Sequence, residues 1–76
     1  MILEKLEKFG LSEKESKVYL SLLQLGTSVV SDVAKKAQIN RSTTYILLES
    51  LARHRLVSIS ERKNIRLYTP APPERI

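Results

Sequence analysis

The chain has 76 residues, of which 13 are Lys or Arg and 8 are Asp or Glu, and 42% of its residues are apolar. A chain this short forms one small domain, residues 1–76, and it is too apolar for a disordered basic tail. With no cysteine and one histidine, it lacks the residues for a disulfide framework, a thiolate nucleophile or a metal site built from Cys and His.

The sequence gives no sign of a membrane segment. Its apolar runs are a few residues long, far short of the roughly 20 residues that span a bilayer, and the mixed charges near its start do not fit a signal peptide. Because the sequence has no cysteine, a cytoplasmic protein is the simpler expectation, and we expect no cofactor.

The first predicted element is a short amphipathic helix over residues 1–10. Its apolar residues recur at helical spacing opposite a charged face. They are Ile2, Leu3, Leu6 and Phe9. We expect this apolar face, with part of the second helix, to contact a second copy and so to form a homodimer.

A second helix is predicted over residues 12–25. Ser12 and Glu15 form a capping-box pattern at its start, and Gly26 follows its end. Apolar side chains cover more than half of its circumference, so we expect it to be packed from two sides.

Two more helices are predicted, over residues 30–37 and 41–54. The first is long enough for about two turns, and Asn40 is a good N-cap for the second, which we call the recognition helix. The recognition helix has one core stripe, formed by Thr44, Leu47, Leu48 and Leu51. Its opposite stripe is mostly polar and is expected to be exposed; it contains Ser42, Ile46, Glu49 and Arg53.

The hydrophobic period then changes from 3.6 to 2 residues. This change predicts a β-hairpin, or wing, over residues 56–69 with a cationic tip at residues 61–64. Three prolines in residues 70–76 end the second strand and begin an exit segment. The order of elements predicts a mainly α fold with a small β-hairpin: a winged helix-turn-helix of three to four helices and a two-stranded wing.

The charge is unevenly divided between the two halves of the chain. Residues 1–32 hold four basic and five acidic side chains, a net charge of −1, whereas residues 33–76 hold nine basic and three acidic ones, a net charge of +6. The positive charge therefore falls on the recognition helix and the wing. Because the major groove is about 12 Å wide and accepts one helix, double-stranded DNA is the expected partner.

Several short motifs resemble one family in their order and spacing. They are Gly10-Leu11-Ser12-Glu13, Lys17-Val18-Tyr19, Gly26, Asp32-Val33-Ala34, Arg41-Ser42, Tyr45, Leu51 and Leu56-Val57. Over roughly residues 9–73 the chain is similar to the N-terminal DNA-binding domain of the TrmB-like archaeal and bacterial transcriptional regulators, a branch of the winged-helix group that includes MarR-type repressors. The resemblance implies a dimeric, sequence-specific regulator, often with a sugar-sensing effector domain after the prolines. These 76 residues contain no such domain, which leaves a fragment and a stand-alone DNA-binding protein as alternatives.

Three positions depart from the family pattern. A glycine is usual near Arg55, so His54 or Arg55 must adopt the left-handed backbone that turns the chain into the wing. Asn40 stands where a proline is common. Val29 stands where a capping Ser or Thr is usual, so Ser28 is the alternative cap of the short helix.

The predicted DNA contacts lie on the recognition helix, on the wing and at the start of the short helix. They are Arg41, Ser42, Thr43, Tyr45, Ile46, Arg62, Lys63, Arg66 and Ser28. The resemblance implies that Ser42 and Thr43 face the groove. An exposed Ile46 suits a thymine methyl, and Tyr45 suits a phosphate or sugar, with a ring packed at the rim of the core as the structural alternative.

Other functions have less support from the residues. A nucleophile motif and a glycine-rich phosphate loop are both missing from the sequence, so we expect no enzyme. RNA binding lacks an aromatic stacking platform. A winged helix that docks a partner protein without base contacts is the alternative, which an exposed Ile46 would also suit.

Overall fold

Three helices and a two-stranded hairpin make up the computed structural model, which describes residues 10–71. In chain order they are α1 Glu13–Leu25, α2 Val30–Ala37, α3 Arg41–Arg53, β1 Val57–Arg62 and β2 Ile65–Pro70. The predicted winged helix-turn-helix is confirmed. The predicted helix over residues 1–10, with its dimer residues Ile2, Leu3, Leu6 and Phe9, lies outside the described residues, as do residues 72–76 of the exit segment.

Helix α1 begins and ends where its sequence signals predict. The Ser12 hydroxyl accepts from the Glu15 backbone N–H at 3.1 Å, and the Glu15 carboxylate accepts from the Ser12 N–H at 3.0 Å. This reciprocal pair satisfies two N–H groups that a helix leaves without partners. Gly26 ends the helix with a φ of 79°, a left-handed value that glycine adopts without steric cost.

The core lies where α1 meets the other elements. Val18, Tyr19 and Leu22 of α1 are completely buried and pack with Leu48 and Leu51 of α3. Because α1 contacts α2, α3 and β2, the prediction that it is packed from two sides is confirmed.

The start of α2 corrects one sequence prediction. Val29 is the N-cap residue and supplies no side-chain hydrogen bond, so the prediction that Ser28 caps this helix is wrong. The Ser28 hydroxyl donates instead to the Gly26 carbonyl at 2.9 Å. The Ser28 backbone forms an isolated antiparallel bridge with Tyr68, with N–H···O distances of 3.0 and 2.9 Å. Ser28 therefore joins the helices to the wing.

Helix α3 follows the prediction with small changes at its end. The Asn40 carboxamide accepts from the Thr43 N–H at 2.8 Å, so Asn40 is the N-cap as expected. The helix ends at Arg53, one residue earlier than predicted. Of the two residues that could turn the chain into the wing, Arg55 adopts the left-handed backbone, with a φ of 62°, while His54 keeps a φ of −84°.

The wing has longer strands and a shorter tip than the sequence indicates. Strand β1 extends to Arg62, and the turn consists of Lys63 and Asn64, both with positive φ (49° and 67°). Two consecutive residues with positive φ are typical of a type I′ turn, whose twist matches that of a hairpin. Pro70 is not in the exit segment but ends β2, opposite Val57.

Replacing Arg55 by glycine is expected to stabilise the fold by about 0.5–1 kcal/mol. A residue with a side chain pays about 1–2 kcal/mol for a left-handed φ, and glycine avoids this cost. Glycine also has more conformational entropy in the unfolded chain, which offsets part of the gain. Arg53→Gly is the matched control: it removes the same side chain from the helical last turn of α3 and should destabilise by about 1 kcal/mol. Urea unfolding of both variants measures the change in the free energy of unfolding. Changes of the same sign in the two variants would contradict the left-handed backbone of Arg55.

Glu15 also connects α1 to α3, because the Ser50 hydroxyl donates to its second carboxylate oxygen. Partial burial pushes the pKa of Glu15 upward, but the hydrogen bonds from the Ser12 N–H and the Ser50 hydroxyl outweigh it and leave the pKa below its ordinary value. A carboxyl whose pKa is lowered by folding stabilises the fold above its unfolded pKa, and this contribution is lost as pH falls through the folded pKa.

We therefore expect Glu15→Gln to destabilise the protein by about 0.5–1 kcal/mol at pH 7, the lower end for a helix cap because Glu15 is largely solvated. The difference from wild type should shrink as pH falls below the ordinary carboxyl pKa of 4.5. Urea unfolding across this range measures it, with Glu13→Gln as the control on the same helical turn. A difference that does not change with pH would contradict this role of the carboxylate.

Candidate nucleic-acid interface

The outer face of α3 is exposed along its length. Arg41 and Ser42 in its first turn are exposed, and so is Arg53 in its last turn. Ile46 lies midway and is 64% exposed, which is unusual for a large apolar side chain in the middle of a packed helix. Thr43 is half-buried, and its N–H is bonded to Asn40.

The opposite face of α3 is formed by its core stripe and packs inside the domain. Thr44, Leu48 and Leu51 are fully buried, and Leu47 is half-buried against them. The buried Thr44 hydroxyl donates to the Asn40 carbonyl at 2.8 Å, so its polar atom is satisfied within the helix. With this face packed, α3 presents its polar face and Ile46 to solvent.

A cluster of three side chains joins α3 to the wing. The Arg66 guanidinium of β2 donates to the Tyr45 hydroxyl and lies 5.4 Å from the centroid of the Tyr45 ring. It also lies 3.8 Å from the Glu49 carboxylate. Tyr45 is half-buried, so it combines its two interpretations: it packs at the rim of the core and keeps its hydroxyl at the surface.

The three predicted wing cations do not share a face. In the hairpin register Glu61 pairs with Arg66, on the side of the buried Val57 and Tyr68, whereas Arg62 pairs with Ile65 on the other side. Lys63 lies in the turn. Arg66 therefore points toward α3, and Arg62 and Lys63 are left at the far side and tip of the wing.

Ser28 is placed differently from the other candidates. It is 9% exposed, and its hydroxyl already donates to the Gly26 carbonyl. A phosphate contact needs an accessible donor, so we leave Ser28 out of the interface.

Sequence reasoning missed a cleft of about 420 Å³ between the start of α2, the first turn of α3 and the side of the wing, from its turn to Tyr68. Residues 29–31 form one wall, Arg41 and Tyr45 the second, and residues 64–66 with Tyr68 the third. The sequence carried one signal for this cleft, the alternation of side chains along the second strand, because this alternation puts Tyr68 on the inner face of the hairpin. What lies opposite that face depends on long-range packing.

Residues 10–71 contain no group of three or more His, Cys, Asp or Glu side chains able to hold a metal ion. Over the same range, none of the helices has the length and apolar character needed to cross a bilayer.

The arrangement defines the class of the protein. A two-turn helix, a short turn and a longer helix with one exposed face are followed by a basic hairpin docked on that helix, which is the winged helix-turn-helix architecture. Residues 6–74 match the family model described as the sugar-specific transcriptional regulator TrmB, and the chain belongs to this family. The resemblance noted in the sequence is confirmed. A family of transcriptional regulators also agrees with the expectation that the chain is not an enzyme.

A curated relative is the HTH-type sugar sensing transcriptional regulator TrmBL1 of Pyrococcus furiosus, which is 48% identical over 73 residues. The match covers 96% of this chain and 21% of the relative, so the chain spans about a fifth of that relative's length.

Two similar solved structures support the fold at low sequence identity. TrmBL2, described as an archaeal chromatin protein with a novel mode of DNA binding, has a TM-score of 0.82 at 24% identity, over 96% of this chain and 28% of that one. BpsR of Bordetella bronchiseptica, whose DNA binding is described as regulated by 6-hydroxynicotinic acid, has a TM-score of 0.81 at 24% identity, over 97% of this chain and 56% of that one.

The cluster around Arg66 predicts a coupling that a double-mutant cycle can measure. Tyr45→Phe removes the hydroxyl that accepts from Arg66, and Arg66→Met removes the donor, so the two changes should show a favourable coupling free energy in urea unfolding. Arg62→Met is the matched control, because Arg62 lies on the opposite face of the hairpin. Equal coupling of Tyr45→Phe to both changes would contradict the contact.

Proposed function

We propose that the chain binds double-stranded DNA in a sequence-specific manner, as the DNA-binding part of a transcriptional regulator, with α3 in the major groove. The observation that carries this proposal is the exposed, mostly polar face of α3, flanked by a cationic wing. One helix fits the groove, and its side chains then reach base edges. Membership of the TrmB family supports the same function.

The first turn of α3 supplies the closest contacts in this proposal. Arg41 and Ser42 are exposed there and suit base edges or the adjacent phosphates, and Thr43 lies beside them. Ile46 would meet a thymine methyl one turn further on. Tyr45 is limited to the edge of the contact, because its hydroxyl is engaged by Arg66.

The wing divides into two parts by function. Arg62 and Lys63 are exposed at its far side and tip, where they suit the DNA backbone or the flanking groove. Arg66 faces α3 and fixes the angle between wing and helix, in addition to any contact with a phosphate.

A homodimer completes the proposal. Ile2, Leu3, Leu6 and Phe9 form an apolar stripe in the sequence that suits a contact with a second copy. Two copies would read two half-sites about 34 Å apart. We place the protein in the cytoplasm, and the family suggests that a sugar-sensing effector domain acts with this one.

Docking of a partner protein is the second candidate, because three isoleucines are exposed: Ile46 (64%), Ile59 (42%) and Ile65 (53%). Scattered exposed apolar residues are common on monomers, so the charge of the second half of the chain favours DNA.

Fluorescence anisotropy with a random-sequence duplex across a salt series tests the proposal. About five phosphate contacts predict a slope of log affinity against log salt of about −4 to −5. Arg41→Ala and Arg62→Ala should each reduce that slope by about one unit. Lys14→Ala is the control, since it removes an exposed charge from α1, and it should leave the slope nearly unchanged.

Two outcomes would contradict the proposal. No binding at about 50 mM salt would remove the DNA function and favour the docking alternative. Equal losses from Arg41→Ala and Lys14→Ala would show binding through net charge, with no defined interface.

A further inference from the structure

One acidic side chain lies on the face of α3 that the proposed function puts against DNA. Among residues 41–53 of this helix Glu49 is the only acid, and its side chain is 44% exposed, one turn beyond Ile46. We propose that the Glu49 carboxylate selects a cytosine in the major groove by accepting a hydrogen bond from the N4 amino group of that base. The inference rests on the proposed DNA-binding function and names a base that the same face recognises.

The Glu49 carboxylate keeps acceptor positions that its contact within the domain does not fill. It lies 3.8 Å from the Arg66 guanidinium, which is close enough for an ion pair but too far for a hydrogen bond. Arg66 donates its hydrogen bond to the Tyr45 hydroxyl. A carboxylate has about four lone-pair positions, so Glu49 can accept from a base while Arg66 stays beside it.

DNA offers few places where a carboxylate is stable. Phosphates and the acceptors of the base edges repel it, and its loss of water in the groove is costly unless a donor takes the place of the water. The donors in the major groove are the N4 amino group of cytosine and the N6 amino group of adenine. Guanine presents the acceptors O6 and N7, and thymine presents the acceptor O4. Glu49 therefore favours a base with an amino group and disfavours guanine and thymine.

Cytosine suits this carboxylate better than adenine does. Adenine presents its N6 amino group beside the N7 acceptor, and this pair of groups suits the amide of Asn or Gln, which both donates and accepts. The second oxygen of a carboxylate would face the N7 acceptor and be repelled. Cytosine presents its N4 amino group without an acceptor on its own edge of the groove, so a side chain that only accepts can bind it.

Ile46 gives the cytosine a position relative to a second base. Residues three apart in a helix are separated by about 4.5 Å along its axis, a little more than the roughly 3.4 Å between successive bases of one strand. In the proposed function Ile46 meets a thymine methyl. A helix lying along the groove should therefore select a T·A pair and a C·G pair one or two base pairs apart.

Selection of bound sequences from a random duplex pool with the full chain tests the inference. The wild type should enrich a C·G pair at a fixed position beside a T·A pair. Glu49→Gln should change the preference at the first position to A·T, because its amide both donates and accepts, and should leave the second position unchanged. In fluorescence anisotropy with the selected duplex, replacing the C·G pair by T·A should weaken wild-type binding about five- to a hundredfold and Glu49→Gln binding much less.

Glu61→Gln is the matched control. Glu61 is an exposed acid on the wing that pairs with Arg66 in the hairpin register, so this variant removes the same charge beside the same arginine but away from α3. It should select the wild-type sequence. Ile46→Ala tests the neighbouring position: it should lose the preference for T·A and keep the preference for C·G.

The outcomes separate this inference from the proposed function. The same selected sequence for wild type and Glu49→Gln would overturn the inference and leave DNA binding intact, with Glu49 acting only as the ion-pair partner of Arg66. A wild-type sequence without the cytosine, or a loss of it in Glu61→Gln as well, would also overturn the inference. Duplex binding without any selected sequence, or no binding at low salt, would remove the proposed sequence-specific function and this inference with it.

Discussion

The architecture depends on one short contact, the pairing of the Ser28 and Tyr68 backbones. Its two N–H···O bonds, 3.0 and 2.9 Å, connect the segment before α2 with strand β2 across forty residues of sequence. This pairing fixes the base of the wing against the start of the helix-turn-helix unit. The Tyr68 side chain is thereby buried, the cleft beside α2 is formed, and Arg66, two residues earlier on the same strand face, is brought to Tyr45. Together with the contact between Arg66 and Tyr45, it sets the angle between the hairpin and α3.

Helix boundaries could be predicted because their signals are local. The Ser12–Glu15 box, Gly26 and Asn40 act within one turn of their own position, so the same bonds form wherever the helix packs. Ser28 was predicted wrongly for the opposite reason: its backbone pairs with a distant strand, which puts Val29 at the cap position.

The candidate site could be predicted in part. Helical period alone indicated which face of α3 is buried, and the exposure of Ile46 and Ser42 follows from it. The sequence could not indicate that Arg62 and Arg66 point to opposite sides, since that depends on a two-residue turn and the register it imposes. Nor could it indicate the cleft, which three separate elements form only after they pack together.

The wing is attached at its base and unattached at its tip. Tyr68 is paired with Ser28 near the end of β2, whereas the exposed turn residues Asn64 and Lys63 lie four and five residues further out. The contact between Arg66 and Tyr45 lies between these two points, so the base and the middle of the hairpin are held against the helices and Lys63 extends beyond them. Under the proposed function, the wing would therefore reach flanking DNA at a distance set by the folded domain and not by the flexibility of the chain.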